Sequence, residues 1–164
     1  NKTKIFFSLC LNPGKENRMK WKIKTGIEKI NPNNKLHLNL VTNPSNKWVI
    51  YKNYGREKTN IDVFDWIKKI SKYEIGEILL TSIDYEGLAN GYDIDLYKQV
   101  SKITKIPLIA SGGFGKLAHI TNLVKEARVD AITISRQLHY DNIKLKEIKE
   151  YCSKNKIFVR KSYE

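Results

Sequence analysis

Apolar and polar residues along this chain predict short buried strands that alternate with amphipathic helices. The most informative stretch is 76–115, which contains the apolar run ILLTSID, an acidic loop with glycines, a helical segment, and a second apolar run, IPLIA, that ends in SGGFG. Strand, loop, helix, strand and Gly-rich turn in this order are typical of a βαβ unit. Both loops follow the carboxyl ends of strands, which is where α/β barrels place their chemistry.

Alternation of apolar and polar residues predicts the other strands, and apolar residues at helical spacing predict the other helices. Strands are expected at 5–11, 77–83, 107–110 and 129–134, and a β-hairpin spans 36–53, with arms at 36–42 and 48–52 around the turn-forming NPSN. Helices with one apolar face are expected at 61–72, 116–125 and 143–153, with Asn60 as the N-cap of the first. A further helix is expected after Asp93 as its N-cap, with Leu96, Val100 and Ile103 on its apolar face. Residues 12–35 are polar and are predicted to be an insertion with a short helix around 19–27. This alternation predicts an α/β fold with a parallel sheet and right-handed crossovers.

The length bounds the architecture. The 164 residues suffice for a single domain over 1–164. Four βα units make half of a (βα)8 barrel, which usually needs about 250 residues. We therefore expect either the second half of a longer chain, to which the start at Asn1 rather than Met also points, or a half-barrel that pairs with another copy. In both cases the strand edges at 5–11 and 129–134 are predicted to need a partner.

The charge balance is strongly basic, with 30 basic and 17 acidic residues and a formal net charge of +13. The lysines are spread over predicted helix faces and loops, and no aromatic stacking motif accompanies them, so a nucleic-acid partner is not expected. A basic surface would still attract an anionic, phosphorylated small molecule.

Cysteine and histidine usage points to a reducing cytoplasm. Cys10, Cys152 and the three histidines show no spacing typical of disulfides or metal ligands, so neither a metal nor another cofactor is expected. The segment KTKIFFSLCL at 2–11 resembles a signal peptide but lacks a small-residue cleavage site, which favours a buried strand. No apolar run approaches the roughly 18 residues of a membrane span, so no membrane association is expected.

Four segments resemble one enzyme family. GREKTNIDVFDW, GEILLTSIDYEGLANGYD, IPLIASGGFG and LKEIKEYCSKNKIFVR are similar, in this order, to the cyclase subunit of imidazole glycerol phosphate synthase. The resemblance runs from about Trp48 to Arg160 and corresponds to strands five to eight of that family's TIM barrel. It implies the second half of a (βα)8 barrel with a hairpin insertion. It also implies a lyase of histidine biosynthesis that closes the imidazole ring of a phosphorylated ribosyl substrate with ammonia from a glutaminase partner.

The resemblance also implies roles for individual residues. Glu77 matches a carboxylate at the ammonia entrance, although an ion-pair role at the barrel floor fits it equally, and Thr81 lies on the same strand face. Asp84 and Gly87 match the loop that approaches the substrate, although Asp84 would also serve as a cap. Four residues after strands seven and eight match the phosphate site, namely Gly112, Gly113, Ser135 and Arg136. Glycine allows backbone N–H groups to reach a phosphate, and a plain tight turn is the alternative.

Three positions depart from the family's pattern. Cys10 stands at the position assigned to the catalytic Asp that ends strand five, and Glu86 replaces an Asp after strand six. Arg136 stands where the family has small residues, and it would either bind phosphate bidentately or block the pocket. Cys10 would be either a proton-transfer group or a small buried hydrophobe.

These departures leave two functional hypotheses. The first is the cyclase, with Cys10, Asp84 and Glu86 as candidate catalytic residues. The alternative is a divergent, catalytically altered paralogue that channels ammonia or binds a phosphosugar, for example in nucleotide-sugar amidation.

Overall fold

The computed structural model describes residues 4–5, 35–43, 47–52, 55–73 and 75–159. The strands are β1 (Lys4–Ile5), β2 (Lys35–Asn43), β3 (Lys47–Lys52), β4 (Glu57–Asp62), β5 (Glu77–Ser82), β6 (Leu108–Ser111) and β7 (Ala131–Ile132). The helices are α1 (Val63–Ile70), α2 (Ile94–Ile103), α3 (Ala118–Glu126), α4 (Arg136–His139) and α5 (Leu145–Lys154). The α/β alternation predicted from the hydrophobic pattern is confirmed, whereas β4 and the short α4 were not predicted.

The described strands form one sheet in the order β1-β7-β6-β5-β2-β3-β4. The five strands β1, β7, β6, β5 and β2 run parallel to one another. Beyond β2, β3 and β4 extend the sheet with antiparallel pairing. Parallel strands place their carboxyl ends at one edge of the sheet, so the loops after β5, β6 and β7 meet there.

Helices cover one face of the parallel strands. Ile78 and Leu80 of β5 are fully buried and belong to a hydrophobic cluster that also contains residues of α1, α2, α3 and α5. Because successive side chains of a strand point to opposite faces, Glu77, Leu79 and Thr81 lie on the other face. This second face is the one that would line the inside of a barrel.

Helix α1 begins later than the sequence predicts. Residues 57–62 are paired with β3 in the sheet, and Asp62 rather than Asn60 is the N-cap. Its Oδ1 accepts hydrogen bonds from the backbone N–H of Phe64, at 2.8 Å, and of Asp65, at 3.2 Å. The prediction of Asn60 as the cap is wrong, because Asn60 lies inside β4 and the helix starts only after Asp62.

The sheet order corrects two further predictions. The sequence analysis assigns Cys10, and so the strand at 5–11, to strand five, but the strand that pairs with β5 in parallel is β2, with Asn39 opposite Thr81. The edge of β7 is not unpaired either, because Lys4–Ile5 pair with Ala131–Ile132. The first arm of the predicted hairpin is therefore also a member of the parallel sheet. Cys10 and the helix predicted around 19–27 lie outside the described residues.

Candidate functional site

Two loops press against each other above the carboxyl ends of β5 and β6. The backbone N–H of Gly91 donates a hydrogen bond to the carbonyl oxygen of Gly113 at 2.8 Å. Gly113 has a φ of +103°, and a β-carbon there would overlap the carbonyl group of Gly91. Gly112 has a φ of +95°, and its β-carbon would lie 2.7 Å from the carbonyl oxygen of Ser82. Both glycines of the predicted phosphate turn are thus required by backbone conformation and by close packing.

Two buried tyrosines hold this edge of the sheet from below. The hydroxyl of Tyr97, in α2, lies 2.9 Å from the carbonyl oxygen of Leu80 and 2.7 Å from that of Ser111, and accepts the N–H of Ser111 at 3.1 Å. The hydroxyl of Tyr92 donates to the carbonyl oxygen of Thr133 at 3.0 Å. Burial raises the pKa of both phenols, so they act as neutral hydrogen-bonding groups. They connect the carboxyl ends of β5, β6 and β7.

Asp93 fixes the end of the loop after β5. It is buried and caps α2, as predicted, by accepting the N–H of Leu96 at 3.2 Å. Its Oδ2 accepts the indole N–H of Trp48 at 2.9 Å and the hydroxyl of Ser82 at 3.3 Å. These bonds join β3, β5 and α2, and a buried carboxylate with several donors restrains the loop firmly.

Glu86 brings a carboxyl group to the glycine turn. Its Oε2 lies 3.3 Å from the position that a β-carbon on Gly112 would occupy. The side chain is exposed by area, yet the surrounding protein removes enough water from the carboxyl group to raise its pKa above the ordinary value. A raised pKa brings proton exchange closer to neutral pH, as acid–base catalysis requires. Asp84 lies in the same loop and is exposed.

An open cavity of about 420 Å³ is lined by Gly87, in the loop after β5, and by Ser135, Arg136, His139 and Tyr140 after β7. Three of these residues were predicted from the sequence. The guanidinium of Arg136 lies 5.9 Å from the centre of the Tyr140 ring, and His139 meets that ring edge to face at 5.4 Å. Arg136 therefore forms part of the cavity wall rather than filling the cavity. His139 and Tyr140 were not predicted as site residues, because the sequence does not show that α4 turns them toward Gly87.

The other candidate residues lie farther from the cavity. Glu77 and Thr81 lie at opposite ends of β5, on the face opposite to the one through which Ile78 and Leu80 pack against the described helices, and Thr81 is buried. Cys152, in α5, belongs to the hydrophobic core, and burial raises the pKa of its thiol to about 11, which makes it unreactive.

Two absences apply to the residues that the structure describes. Over 4–5, 35–43, 47–52, 55–73 and 75–159, no three His, Cys, Asp or Glu side chains are placed to hold a metal ion together. Within the same part of the chain, no helix combines the length and the apolar character of a membrane span.

Comparison with known proteins decides the family. A family described as histidine biosynthesis protein matches residues 20–144, which is most of the chain. The chain belongs to this family. The match includes β2 to β7 and the candidate site around Gly87, Gly112 and Ser135, and it excludes Cys10.

Curated relatives carry a more specific name, the HisF subunit of imidazole glycerol phosphate synthase. The HisF subunit of Prochlorococcus marinus strain AS9601 is 44% identical over 118 residues, which are 72% of this chain and 46% of that protein. HisF of strain MIT 9215 is 45% identical over 114 residues, covering 70% of this chain and 44% of that protein. HisF of Clostridium botulinum strain Kyoto is 41% identical over 113 residues, covering 69% of this chain and 45% of that protein. The chain thus matches about half the length of these relatives.

Proposed function

We propose that this chain forms the second half of a (βα)8 barrel, and that the complete protein is the cyclase of an imidazole glycerol phosphate synthase. It would close an imidazole ring on a phosphorylated ribosyl substrate with ammonia from a glutaminase. Membership of the histidine biosynthesis family supports this proposal. The names of the relatives favour it over an altered paralogue that only channels ammonia or binds a phosphosugar.

The observation that carries the proposal is that a glycine turn, a carboxyl group and a cation follow the carboxyl ends of three adjacent parallel strands, at one edge of the sheet. Gly112 and Gly113 provide backbone, Ser135 and Arg136 line an open cavity, and Glu86 reaches Gly112 from the side. The loops after the last strands of a barrel commonly bind a phosphate group. We propose that the substrate's phosphate lies in this cavity, where Arg136 donates charge-assisted hydrogen bonds to it.

Glu86 is the best-placed acid–base group of the described residues. Ring closure with ammonia requires a nitrogen to lose protons and a carbonyl oxygen to gain them before it leaves as water. A carboxyl group whose pKa is raised by desolvation can serve in both directions. We assign this role to Glu86 and a supporting electrostatic role to Asp84, which follows the same strand.

The sheet order leads us to propose a different residue for the catalytic position at the end of strand five, one in β2 instead of Cys10. The resemblance calls for a polar catalytic residue on the strand that precedes β5 in the sheet. That strand is β2, and Asn39 stands opposite Thr81 in register. We therefore propose that Asn39 occupies the position of the family's Asp. Cys10 stays a prediction without support from the sheet order.

We further propose that ammonia enters at the amino end of the barrel and passes along the face that carries Glu77 and Thr81. Glu77 lies at the first position of β5 and Thr81 near its last, on the same face. A glutaminase would dock at the edge next to Glu77, opposite the phosphate cavity. This arrangement keeps ammonia away from water until it reaches the site.

The test measures ammonia-dependent turnover of the phosphorylated substrate by the complete protein. Glu86→Gln should lower kcat by about 100- to 10,000-fold, the usual effect of losing a positioned acid or base. Glu126→Gln, which removes the same charge from the exposed end of α3, is the matched control. Unchanged turnover in Glu86→Gln would remove Glu86 from the mechanism, and no turnover in the wild type would refute the cyclase assignment.

A second variant tests the reassignment to β2. Asn39→Asp should raise turnover if a neutral amide has weakened the enzyme at this position. Cys10→Asp serves as the comparison, and it should leave turnover unchanged. A gain in Cys10→Asp alone would return the strand-five role to Cys10.

A further inference from the structure

His119 lies at the junction of the two loops that form the candidate site. It is the second residue of α3 and is half-buried. Its Nδ1 lies 3.2 Å from the backbone nitrogen of Gly115 and 3.4 Å from that of Lys116, and both N–H groups point to it. An imidazole nitrogen that accepts hydrogen bonds carries no proton, so the proton of the neutral ring is on Nε2.

The backbone that this ring holds packs against the other loop. A β-carbon on Gly115 would overlap the carbonyl group of Ala89, so the two backbones lie close together there. Gly91, in the same loop as Ala89, donates its N–H to Gly113. The His119 side chain therefore holds, by hydrogen bonds, the end of the glycine turn that packs against the loop carrying Glu86.

The helix itself does not supply this restraint. The residue before α3, Leu117, offers no side-chain cap, and no acidic residue lies in the first turn. The N–H groups of Gly115 and Lys116 precede the helix and need an acceptor. His119 reaches back from within the helix to provide one.

We propose that His119 is a positioning residue that holds the glycine turn 112–116 and the loop 83–93 in their ligand-binding arrangement. The proposal deepens the proposed function, because the ligand that the turn serves is the phosphate group of the substrate. His119 does not touch the ligand. It acts through the backbone N–H groups of Gly115 and Lys116.

The surroundings of His119 favour the neutral imidazole, the form whose Nδ1 accepts hydrogen bonds. Desolvation, and next the positive charge of Lys116, lower the pKa of His119 below the ordinary value. The cation would also be disfavoured at the amino end of a helix, where the helix dipole is positive. The neutral form that accepts from Gly115 and Lys116 is therefore the form present at neutral pH.

Two substitutions separate positioning from simple packing. Asn places a carbonyl oxygen near the location of Nδ1, so His119→Asn should keep the acceptor, whereas His119→Leu keeps only bulk. In the complete protein, the dissociation constant for inorganic phosphate should rise about tenfold in His119→Leu, the size of effect expected when a capping acceptor is lost. It should stay close to wild type in His119→Asn and in Asn122→Leu, an exposed control on the same helix.

A spectroscopic readout tests the geometry without any ligand. Nitrogen-15 shifts of the wild-type imidazole should show Nδ1 unprotonated and Nε2 protonated at neutral pH. Amide exchange at Gly115 and Lys116 should accelerate in His119→Leu and recover in His119→Asn.

The outcomes distinguish the two proposals. Phosphate binding that is equal in wild type and His119→Leu overturns the positioning role and leaves the proposed function standing. A proton on Nδ1 also overturns it. Phosphate binding by none of the proteins overturns the phosphate site itself.

Discussion

The two parts of the candidate site are built in different ways. The loops after β5 and β6 meet backbone to backbone, through Gly91 and Gly113, with buried tyrosines beneath them. The segment 133–140 after β7 presents exposed side chains around an open cavity. The first part allows little change of residue, because a β-carbon at Gly112 or Gly113 would run into neighbouring backbone atoms. The second can change its chemistry at little cost to the fold, because Arg136, His139 and Tyr140 are exposed.

The largest expected effect tests the packed part. Gly113→Ala should destabilise the protein by at least about 3 kcal/mol, because its β-carbon would overlap the carbonyl of Gly91 and its φ is +103°. Gly87→Ala is the matched control, since Gly87 has a φ of +76° with nothing within 4 Å of its β-carbon. It should cost about 1 kcal/mol from backbone strain alone. Urea unfolding of both variants measures the difference, and equal losses would show that the loops are not tightly packed.

A second variant removes one atom from the support beneath the loops. Tyr97→Phe should lower the free energy of unfolding by about 1–3 kcal/mol, because it leaves the N–H of Ser111 without its buried acceptor. Tyr73→Phe, at a position 42% exposed, should change stability little. Chemical denaturation measures the free energy of unfolding of both variants. A Tyr97→Phe protein as stable as wild type would mean that water replaces the hydroxyl.

The third prediction concerns the cavity. Arg136→Ala should weaken phosphate binding by about 10- to 100-fold, the value of losing hydrogen bonds to a charged group, while leaving unfolding nearly unchanged. Arg128→Ala removes the same charge from an exposed site between α3 and β7, so it should reduce affinity far less. Calorimetric titration with phosphate compares them. Tighter binding in Arg136→Ala would show that the arginine obstructs the cavity.

The smallest expected effect is a change of stability with pH that comes from Glu86. Desolvation raises the pKa of Glu86, so the folded protein keeps a proton that the unfolded chain has lost. Stability should therefore fall slightly as pH rises from the unfolded value, near 4.5, through the raised folded pKa. Glu86→Gln should lack this slope, and Glu126→Gln should keep it. Unfolding curves across this pH range measure the slope. Parallel profiles for wild type and Glu86→Gln would mean that the carboxyl group stays fully hydrated.

Sequence reasoning succeeded where the signals are local. The apolar run of β5 and the cap at Asp93 depend on neighbours in the chain, and both were predicted. It failed where distant pairing decides. Asn60 resembles a cap, but it lies inside β4, a strand that pairs with β3 on either side of it. The pairing of β2 with β5 could not be read from a pattern that also fits a separate hairpin.

The candidate site residues divide in the same way, into those with a local sequence signal and those that depend on distant contacts. Glycines and acidic residues after strands stand out in the sequence, so Gly112, Gly113 and Glu86 were predicted as candidates. The role proposed for His119 depends on how its side chain folds back onto the N–H groups of Gly115 and Lys116, and no spacing along the chain indicates it. His139 and Tyr140 required the turn of α4 to be known.

The short strand β1 has a consequence for assembly. In a closed eight-stranded barrel, the edge of the last strand pairs with the first strand. Here two residue pairs of β1 occupy that edge on β7. If another half completes the barrel, its strand must displace β1 by strand exchange, in competition for the same hydrogen bonds.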